Sequence, residues 1–177
     1  MKPTRSGSSF GVTKVSRSAE LERAIQTAQR YDAKVVIEEA VAGSEVGCAI
    51  HGSGADLFAG EADQIALSDG FFRIHQEGTP EQGSDNATVI VPANISADSR
   101  SLVQETAKAI YRALGCSGLA RVDMFLTEGG RVVLNEVNTF PGMTSYSRYP
   151  RMMAAAGLSF ADVIDRIVSL TLAGTGR

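Results

Sequence analysis

Two stretches near the C-terminal end, Gly118–Thr127 and Arg131–Val137, alternate apolar and polar residues on either side of Glu128-Gly129-Gly130. Strands alternate in this way because successive side chains point to opposite faces. Gly-Gly suits the two-residue primed turns, whose central residues need positive φ. With that turn Glu128 faces Arg131, which sets Asp123 opposite Glu136 and Arg121 opposite Asn138. Cβ atoms of directly opposed residues lie roughly 4.5–5.5 Å apart, and like charges there repel. Two carboxylates at that range share a proton, take a basic partner or bind a cation. Asn138 adds an uncharged oxygen, so the set suits Mg²⁺ or Mn²⁺, with water and substrate phosphate completing the shell. The competing reading is a solvated strand face on which Arg121 neutralises an acid.

A second group opens the chain. Lys2 precedes Arg5-Ser-Gly-Ser-Ser-Phe-Gly11, where Gly7 and Gly11 permit tight turns and Ser6, Ser8 and Ser9 add hydroxyls. Successive backbone N–H groups in such a loop form an anion-binding concavity, although the sequence is neither the phosphate-binding P-loop nor G-x-G-x-x-G. A flexible hairpin tip is the plainer alternative. Glu38 closes one apolar stretch and Glu45 opens the next. If both face one crevice, their carboxylates can accept hydrogen bonds from a ribose or an adenine amino group; otherwise they are surface acids.

The elements that must position these groups are mixed. A short strand is expected around Thr13–Val15, then a helix capped by Ser18 with Leu21, Ala24, Ile25 and Ala28 on its inner face. Strands follow at Lys34–Ala40, Glu45–Ile50 and Asp56–Ala59. Residues 68–86 lack clean periodicity and contain Gly70, Gly78, Pro80 and Gly83, so they read as a lid. A strand at Thr88–Val91 leads to a helix capped by Ser96, with Leu102, Val103, Ile110, Ala113 and Leu114 turned inward. After the hairpin come a helix around Tyr149–Ala156, stopped by Gly157, and a last helix opened by a Ser159-x-x-Asp162 capping box. That last helix runs along Phe160, Val163, Ile164, Ile167 and Val168. Strands joined partly by hairpins and interspersed with helices give the α+β class.

The 177 residues carry 17 basic and 20 acidic side chains for a net charge of −3. No basic stripe suggests nucleic acid, and no apolar run approaches the roughly 18 residues of a membrane span. The polar N-terminus is no signal peptide. Cys48 and Cys116 are far apart and outside any metal-ligand spacing, which fits reduced thiols in the cytoplasm. His51, beside Gly52, is expected at the surface.

In order along the chain, KPTRSGSSFGVTKV, VVIEEAVAGSEV, GLARVDMFL and VVLNEVNTFPGMTSYSRYP resemble the second half of the ATP-grasp ligases of the D-alanine–D-alanine ligase family. The segment FFRIHQEGTPEQGSDNA brings the resemblance closest to the glycopeptide-resistance branch, which joins D-alanine to D-lactate. The resemblance implies ATP-grasp architecture, with mixed, largely antiparallel sheets packed with helices. Residues 1–90 would form part of the central subdomain, including the lid, and residues 91–177 the C-terminal subdomain. The family's N-terminal substrate domain is absent from this sequence. Lys2 would contact ATP phosphate, and Ser8 would hold the phosphate and the reacting substrate. Glu38 would contact the adenine end and Glu45 the ribose. Asp123, Glu136 and Asn138 would hold two Mg²⁺ or Mn²⁺ ions. Arg121 and the backbone at Gly142 would stabilise the oxyanion, and Ser147 would take the carboxylate of the second substrate.

In the same family, a lid histidine at His75 would attract the lactate carboxylate when cationic, whereas dipeptide-forming relatives usually carry a tyrosine in that region. Imidazole titrates near about 6.5, so the depsipeptide would gain at lower pH. Gln82 stands where close relatives often have a lysine. The resemblance thus implies a cytoplasmic ligase for peptidoglycan precursors acting on D-alanine and D-lactate, without nucleic acid or membrane, and homodimeric at full length. D-alanine–D-alanine or D-alanine–D-serine ligation, and an ATP- and Mg²⁺-binding module without catalysis, are the alternatives.

Overall fold

The computed structural model describes residues 1–7, 9–68, 70 and 86–174. They fall into two compact units that interleave along the chain, one of residues 1–41 and 67–88, the other of residues 42–66 and 89–177.

In the first unit, β1 (Lys2–Pro3) pairs antiparallel with β2 (Val35–Val36). The strand expected over Lys34–Ala40 is therefore two residues long, because its partner offers only Lys2 and Pro3. No strand forms at Thr13–Val15, where the backbone makes a single reciprocal bridge with Met1. Ser18 does not cap a helix; it begins a 3-10 turn whose N-cap is Arg17. Helix α1 (Leu21–Gln29) continues from that turn and buries Ala24 and Ala28. Asp32 closes the mouth of the glycine loop: it accepts the Arg5 backbone N–H at 2.9 Å and the Arg5 guanidinium through both oxygens. These bonds hold its carboxyl well below the usual carboxylate range.

The second unit is built on a six-stranded sheet in the order β6-β5-β3-β7-β8, with β4 also on β3. The strands are β3 (Ser44–Ser53), β4 (Asp56–Ala59), β5 (Asp63–Leu67), β6 (Ala87–Ile90), β7 (Gly118–Leu126) and β8 (Val132–Asn138). Strand β5 was not foreseen in the sequence. The pleat sorts the side chains of β3 and β7 between two cores. Val46, Cys48, Ile50, Ala120, Val122 and Met124 pack against α2 (Ala97–Ala113). On the other face, Ala49 meets Tyr149, Met152 and Met153 of α3 (Arg148–Ala155) and Val163 of α4 (Phe160–Gly174). Burial pushes the Cys48 thiol up, the opposite of what an activated thiolate needs.

Ser96 caps α2 as expected, accepting the Ser99 N–H at 3.1 Å. The buried face of α2 keeps Val103 and Ile110 of the expected set and adds Ala107 and Tyr111, whereas Leu102, Ala113 and Leu114 are exposed. A small alanine and a tyrosine hid this face, and the Tyr111 hydroxyl is satisfied by donating to Gly52 O at 2.9 Å. The Ser159–Asp162 capping box forms reciprocally. Helix α4 turns Val163 and Ile167 inward and leaves Phe160, Ile164 and Val168 exposed.

The hairpin between β7 and β8 departs from a two-residue loop. Thr127 N–H donates to Arg131 O at 2.9 Å, so Glu128, Gly129 and Gly130 form a three-residue loop. Gly130 takes the left-handed conformation, with φ +76°, as in the three-residue hairpins that end in a left-handed glycine. Such a loop alone would bring Asn135 opposite Asp123, and a one-residue slip turns every side chain to the other face. A bulge between Asp123 and Met124 leaves Asn135 without a partner and restores Asp123↔Glu136, Val122↔Val137 and Arg121↔Asn138. The expected pairing is reached by two compensating irregularities.

His51 is buried rather than at the surface, since it lies on β3 between Phe58 and Leu119. Burial and then the Arg166 charge lower its pKa, against smaller raising effects of Asp56 and the Gly118 backbone, and its Nδ1 has no hydrogen-bond partner. The unfolded chain therefore binds the proton more readily, so stability is complete above about pH 6.5 and declines as pH falls below it. Thermal melts of the parent and His51→Leu from pH 7 to 5 test this. The parent should lose midpoint temperature faster than the variant; parallel curves refute the assignment.

Candidate active site

The sheet register sets Asp63, Gly47, Asp123 and Glu136 side by side on one row across β5, β3, β7 and β8. The next row carries Ala49, Arg121 and Asn138. Alternation turns both rows away from the α2 core. Asp63 and Asp123 are buried, at 0% and 1% exposure. Such charges need close partners, because desolvating a carboxylate is expensive.

Arginines supply them. Arg121 grips Asp123 through Nε, at 2.9 and 3.0 Å to the two oxygens, and Nη2, at 2.7 Å to Oδ2. Arg148, the first residue of α3, points its guanidinium onto the sheet and is only 6% exposed. It donates from Nε to Asp63 Oδ2 at 2.6 Å and from Nη2 to Asp63 Oδ1 at 2.8 Å. Its Nη2 also lies 3.1 Å from Asp123 Oδ1, and its Nη1 3.7 Å from Glu45 Oε1. Burial works against the Arg148 charge, but Asp123 and Asp63, with a smaller contribution from Glu45, outweigh it and hold the guanidinium firmly protonated.

The guanidinium fits because position 47 has no side chain. A Cβ there would collide with Arg148 Nη2 and lie 2.7 Å from Asp63 Oδ1 and 3.0 Å from Asp123 Oδ1. Gly47→Ala should therefore cost about 1–3 kcal/mol, the usual range for overpacking a filled interior. Denaturant unfolding of the two proteins measures it, and a difference under about 0.5 kcal/mol would show that the row yields easily.

Sequence reasoning missed Asp63, Gly47 and Arg148. The available signal was Gly47 itself, since a lone glycine inside an apolar strand marks close approach of another group. Of the anticipated residues, the second unit brings together Arg121, Asp123, Glu136, Asn138 and Glu45. It also brings Gly142 to Ser147: a Cβ at 142 would lie 2.7 Å from Ser147 Oγ. That hydroxyl accepts the Thr144 N–H at 3.2 Å and shares a 2.7 Å hydrogen bond with Thr144 Oγ1. Lys2 and Glu38 belong to the first unit and pair with each other, Nζ to Oε2, at 2.9 Å. Ser8, His75 and Gln82 lie outside the described residues, as does most of the lid.

Among the described residues, no group of three or more His, Cys, Asp or Glu side chains is poised around one point. The donors at the hairpin are instead two carboxylates and an amide oxygen. Asp123 already receives arginine N–H groups on both oxygens, and Asn138 Oδ1 accepts the Phe140 N–H at 3.0 Å. Asn138 Oδ1 keeps a second lone pair for a further contact, whereas each Asp123 oxygen carries two arginine contacts, one of which a cation would displace. In donor chemistry the set fits a hard divalent cation that draws its other ligands from water and substrate.

The family described as D-ala D-ala ligase C-terminus matches residues 1–169. A Streptomyces coelicolor protein bearing the provisional name D-alanine–D-lactate ligase is 70% identical over all of this chain and 51% of its own length. The vancomycin/teicoplanin A-type resistance protein VanA of Enterococcus faecium is 63% identical over 98% of this chain and 51% of its own. The crystal structure of the VanG D-Ala:D-Ser ligase from Enterococcus faecalis superposes with a TM-score of 0.85. It is 48% identical over 96% of this chain and 48% of its own. The chain thus spans about half the length of the relatives it matches. The α+β fold with its antiparallel sheets is that of the ATP-grasp ligases, as the sequence motifs led one to expect. With nearly its whole length matched, the chain belongs to the D-alanine–D-alanine ligase C-terminal family.

Proposed function

We propose that this chain is the nucleotide- and metal-binding portion of an ATP-dependent ligase that joins D-alanine to D-lactate for peptidoglycan precursors, the product conferring glycopeptide resistance. The observation that carries the chemistry is Asp123 facing Glu136, with Arg121 and Asn138 on the next row. The choice of D-lactate rests on 70% identity to the relative named for that product, against 48% for the D-Ala:D-Ser enzyme. D-serine or a second D-alanine as acceptor is the alternative.

In this reading Lys2 and the Ser8 loop hold the ATP phosphates, Glu38 the adenine end and Glu45 the ribose. Asp123, Glu136 and Asn138 hold two divalent ions, Mg²⁺ or Mn²⁺, which neutralise charge on the phosphoryl oxygens when bound. The D-alanine carboxylate attacks the γ-phosphorus, the bond to the ADP oxygen breaks, and an acyl phosphate forms. The lactate hydroxyl then attacks the acyl carbon, and phosphate departs with the electrons of the cleaved C–O bond and takes up the hydroxyl proton. Arg121 and the Gly142 backbone steady the oxyanion between these events. Ser147 orients the acceptor carboxylate, and His75 in the lid favours lactate over the ammonium of D-alanine. Residues 1–90 with the lid act as part of the central subdomain and 91–177 as the C-terminal one. The full-length enzyme is a cytoplasmic homodimer. Among the described residues no helix is long and apolar enough to cross a membrane.

Phosphate release from ATP, measured with Mg²⁺, D-alanine and each of D-lactate, D-serine and D-alanine, tests the proposal. Mass spectrometry identifies the product, and the depsipeptide is expected to dominate. Calorimetric binding of Mg²⁺–ATP without turnover would favour a non-catalytic nucleotide-binding module. Neither binding nor turnover would sink both.

A further inference from the structure

Two consecutive residues just past α1, Tyr31 and Asp32, meet the glycine loop at its two ends. At the entry, Asp32 Oδ2 accepts the Arg5 backbone N–H at 2.9 Å and Arg5 Nε at 3.0 Å, while Oδ1 accepts Arg5 Nη2 at 2.8 Å and the Lys34 N–H at 3.1 Å. Thr4 ties the same corner, its N–H and hydroxyl both donating to Lys34 O at 3.1 and 2.9 Å. At the exit, Gly11 lies so close to the Tyr31 ring that a Cβ would stand 2.6 Å from Tyr31 Cδ2 and 2.9 Å from Pro3 Cγ. Gly11 is also left-handed, with φ +73°, and the Phe10 and Tyr31 ring centroids are 6.3 Å apart. The Asp32 side chain is 2% exposed, whereas that of Arg5 is 79% exposed. An ion pair with one member in solvent adds little to global stability. Its consequence is local: it fixes where the loop leaves the unit.

We infer that Tyr31 and Asp32 are positioning residues for phosphate binding: they hold both ends of residues 5–11, so that the loop is set for an anion before nucleotide arrives. This rests on the reading that the loop holds the ATP phosphates. A loop with loose ends must be ordered when its ligand binds, and that cost subtracts from affinity. In Asp32→Asn one carboxylate oxygen becomes an NH₂ group. Each oxygen now accepts two N–H donors, so the amide meets donors with donors whichever way it turns, and the entry loosens. Gly11→Ala disturbs the exit, through the Tyr31 ring and the left-handed backbone. Neither change removes Glu38 or Glu45, the residues assigned to the adenine end and the ribose.

The test is calorimetric binding of Mg²⁺–ATP and, separately, of adenosine, on proteins shown to be folded by thermal melts. Asp32→Asn and Gly11→Ala should each weaken Mg²⁺–ATP binding by about tenfold, the equivalent of roughly one charge-assisted hydrogen bond. Adenosine, which has no phosphate for the loop to hold, should bind them as it binds the parent. A purely structural role predicts instead that both ligands are lost together. Arg5→Lys keeps the charge and the backbone N–H bond to Asp32 but not the planar fork, so its Mg²⁺–ATP affinity should fall between those of the parent and Asp32→Asn. Parent-like Mg²⁺–ATP binding by Asp32→Asn and Gly11→Ala, or a parallel loss of adenosine, overturns the inference while leaving the phosphate loop in place. A parent that binds Mg²⁺–ATP no better than adenosine overturns the inference and the phosphate reading together. Should Asp32→Asn or Gly11→Ala fail to fold, Arg5→Lys, a change at an exposed side chain, decides: Mg²⁺–ATP affinity equal to the parent's refutes the idea.

Discussion

Replacing Arg148 by methionine is expected to destabilise the protein by about 3–5 kcal/mol, the cost of removing one partner from a buried ionic cluster. Methionine fills much of the space of the arginine stem, so the loss is chiefly electrostatic. Asp123 keeps Arg121, but Asp63 is left at 0% exposure with no cation beside it. Removing both charges avoids that penalty, so Asp63→Asn combined with Arg148→Gln should recover most of the stability that Arg148→Met loses. Urea titrations of the three proteins separate the cases. A loss below about 1 kcal/mol for Arg148→Met would mean that water reaches Asp63 and that the row is not a closed cluster.

The same cluster shows what could be read from the sequence. The face of the hairpin was legible because alternation over nine residues of β7 leaves only one way to bury Ala120, Val122 and Met124. Its turn was not, since Gly129-Gly130 suits both a two-residue and a three-residue loop, and the bulge at Asn135 carries no compositional mark. The partners of Asp123 were half legible. Arg121 sits two residues away on the same strand, where periodicity alone finds it. Asp63 and Arg148 come from 85 positions apart and meet only in the tertiary fold. Short pairings fared worst: β2 is limited by its two-residue partner rather than by the composition of Lys34–Ala40. The faces of α2 and α4 are only partly legible: Val103, Ile110, Val163 and Ile167 turn inward as their spacing suggests, while other large apolar residues stay outside. In α2 the sheet accepted Ala107 and Tyr111, and in α4 it took Val163 while leaving Phe160 outside.

On the proposed role of Arg121 at the oxyanion, Arg121→Met in the full-length enzyme should lower the turnover number about 10²–10³-fold, the usual effect of removing such a donor. Arg121 is held against Asp123 by three contacts of 2.7–3.0 Å, so its guanidinium is fixed before any substrate arrives and need not reorganise during the reaction. Asp123 retains the Arg148 contact at 3.1 Å in the variant, and the acid stays anchored. One positive charge fewer beside the carboxylate leaves Mn²⁺ binding unchanged or tighter. A fall in turnover with metal affinity preserved is thus the signature of a group acting on the reacting centre, whereas a parallel loss of both would assign Arg121 to holding Asp123. Arg121→Lys sharpens the distinction, because lysine keeps the charge but cannot reproduce the planar fork. It should recover only part of the lost rate. Turnover of Arg121→Met within tenfold of the parent would remove Arg121 from the chemistry and leave it as the counter-ion of a buried acid.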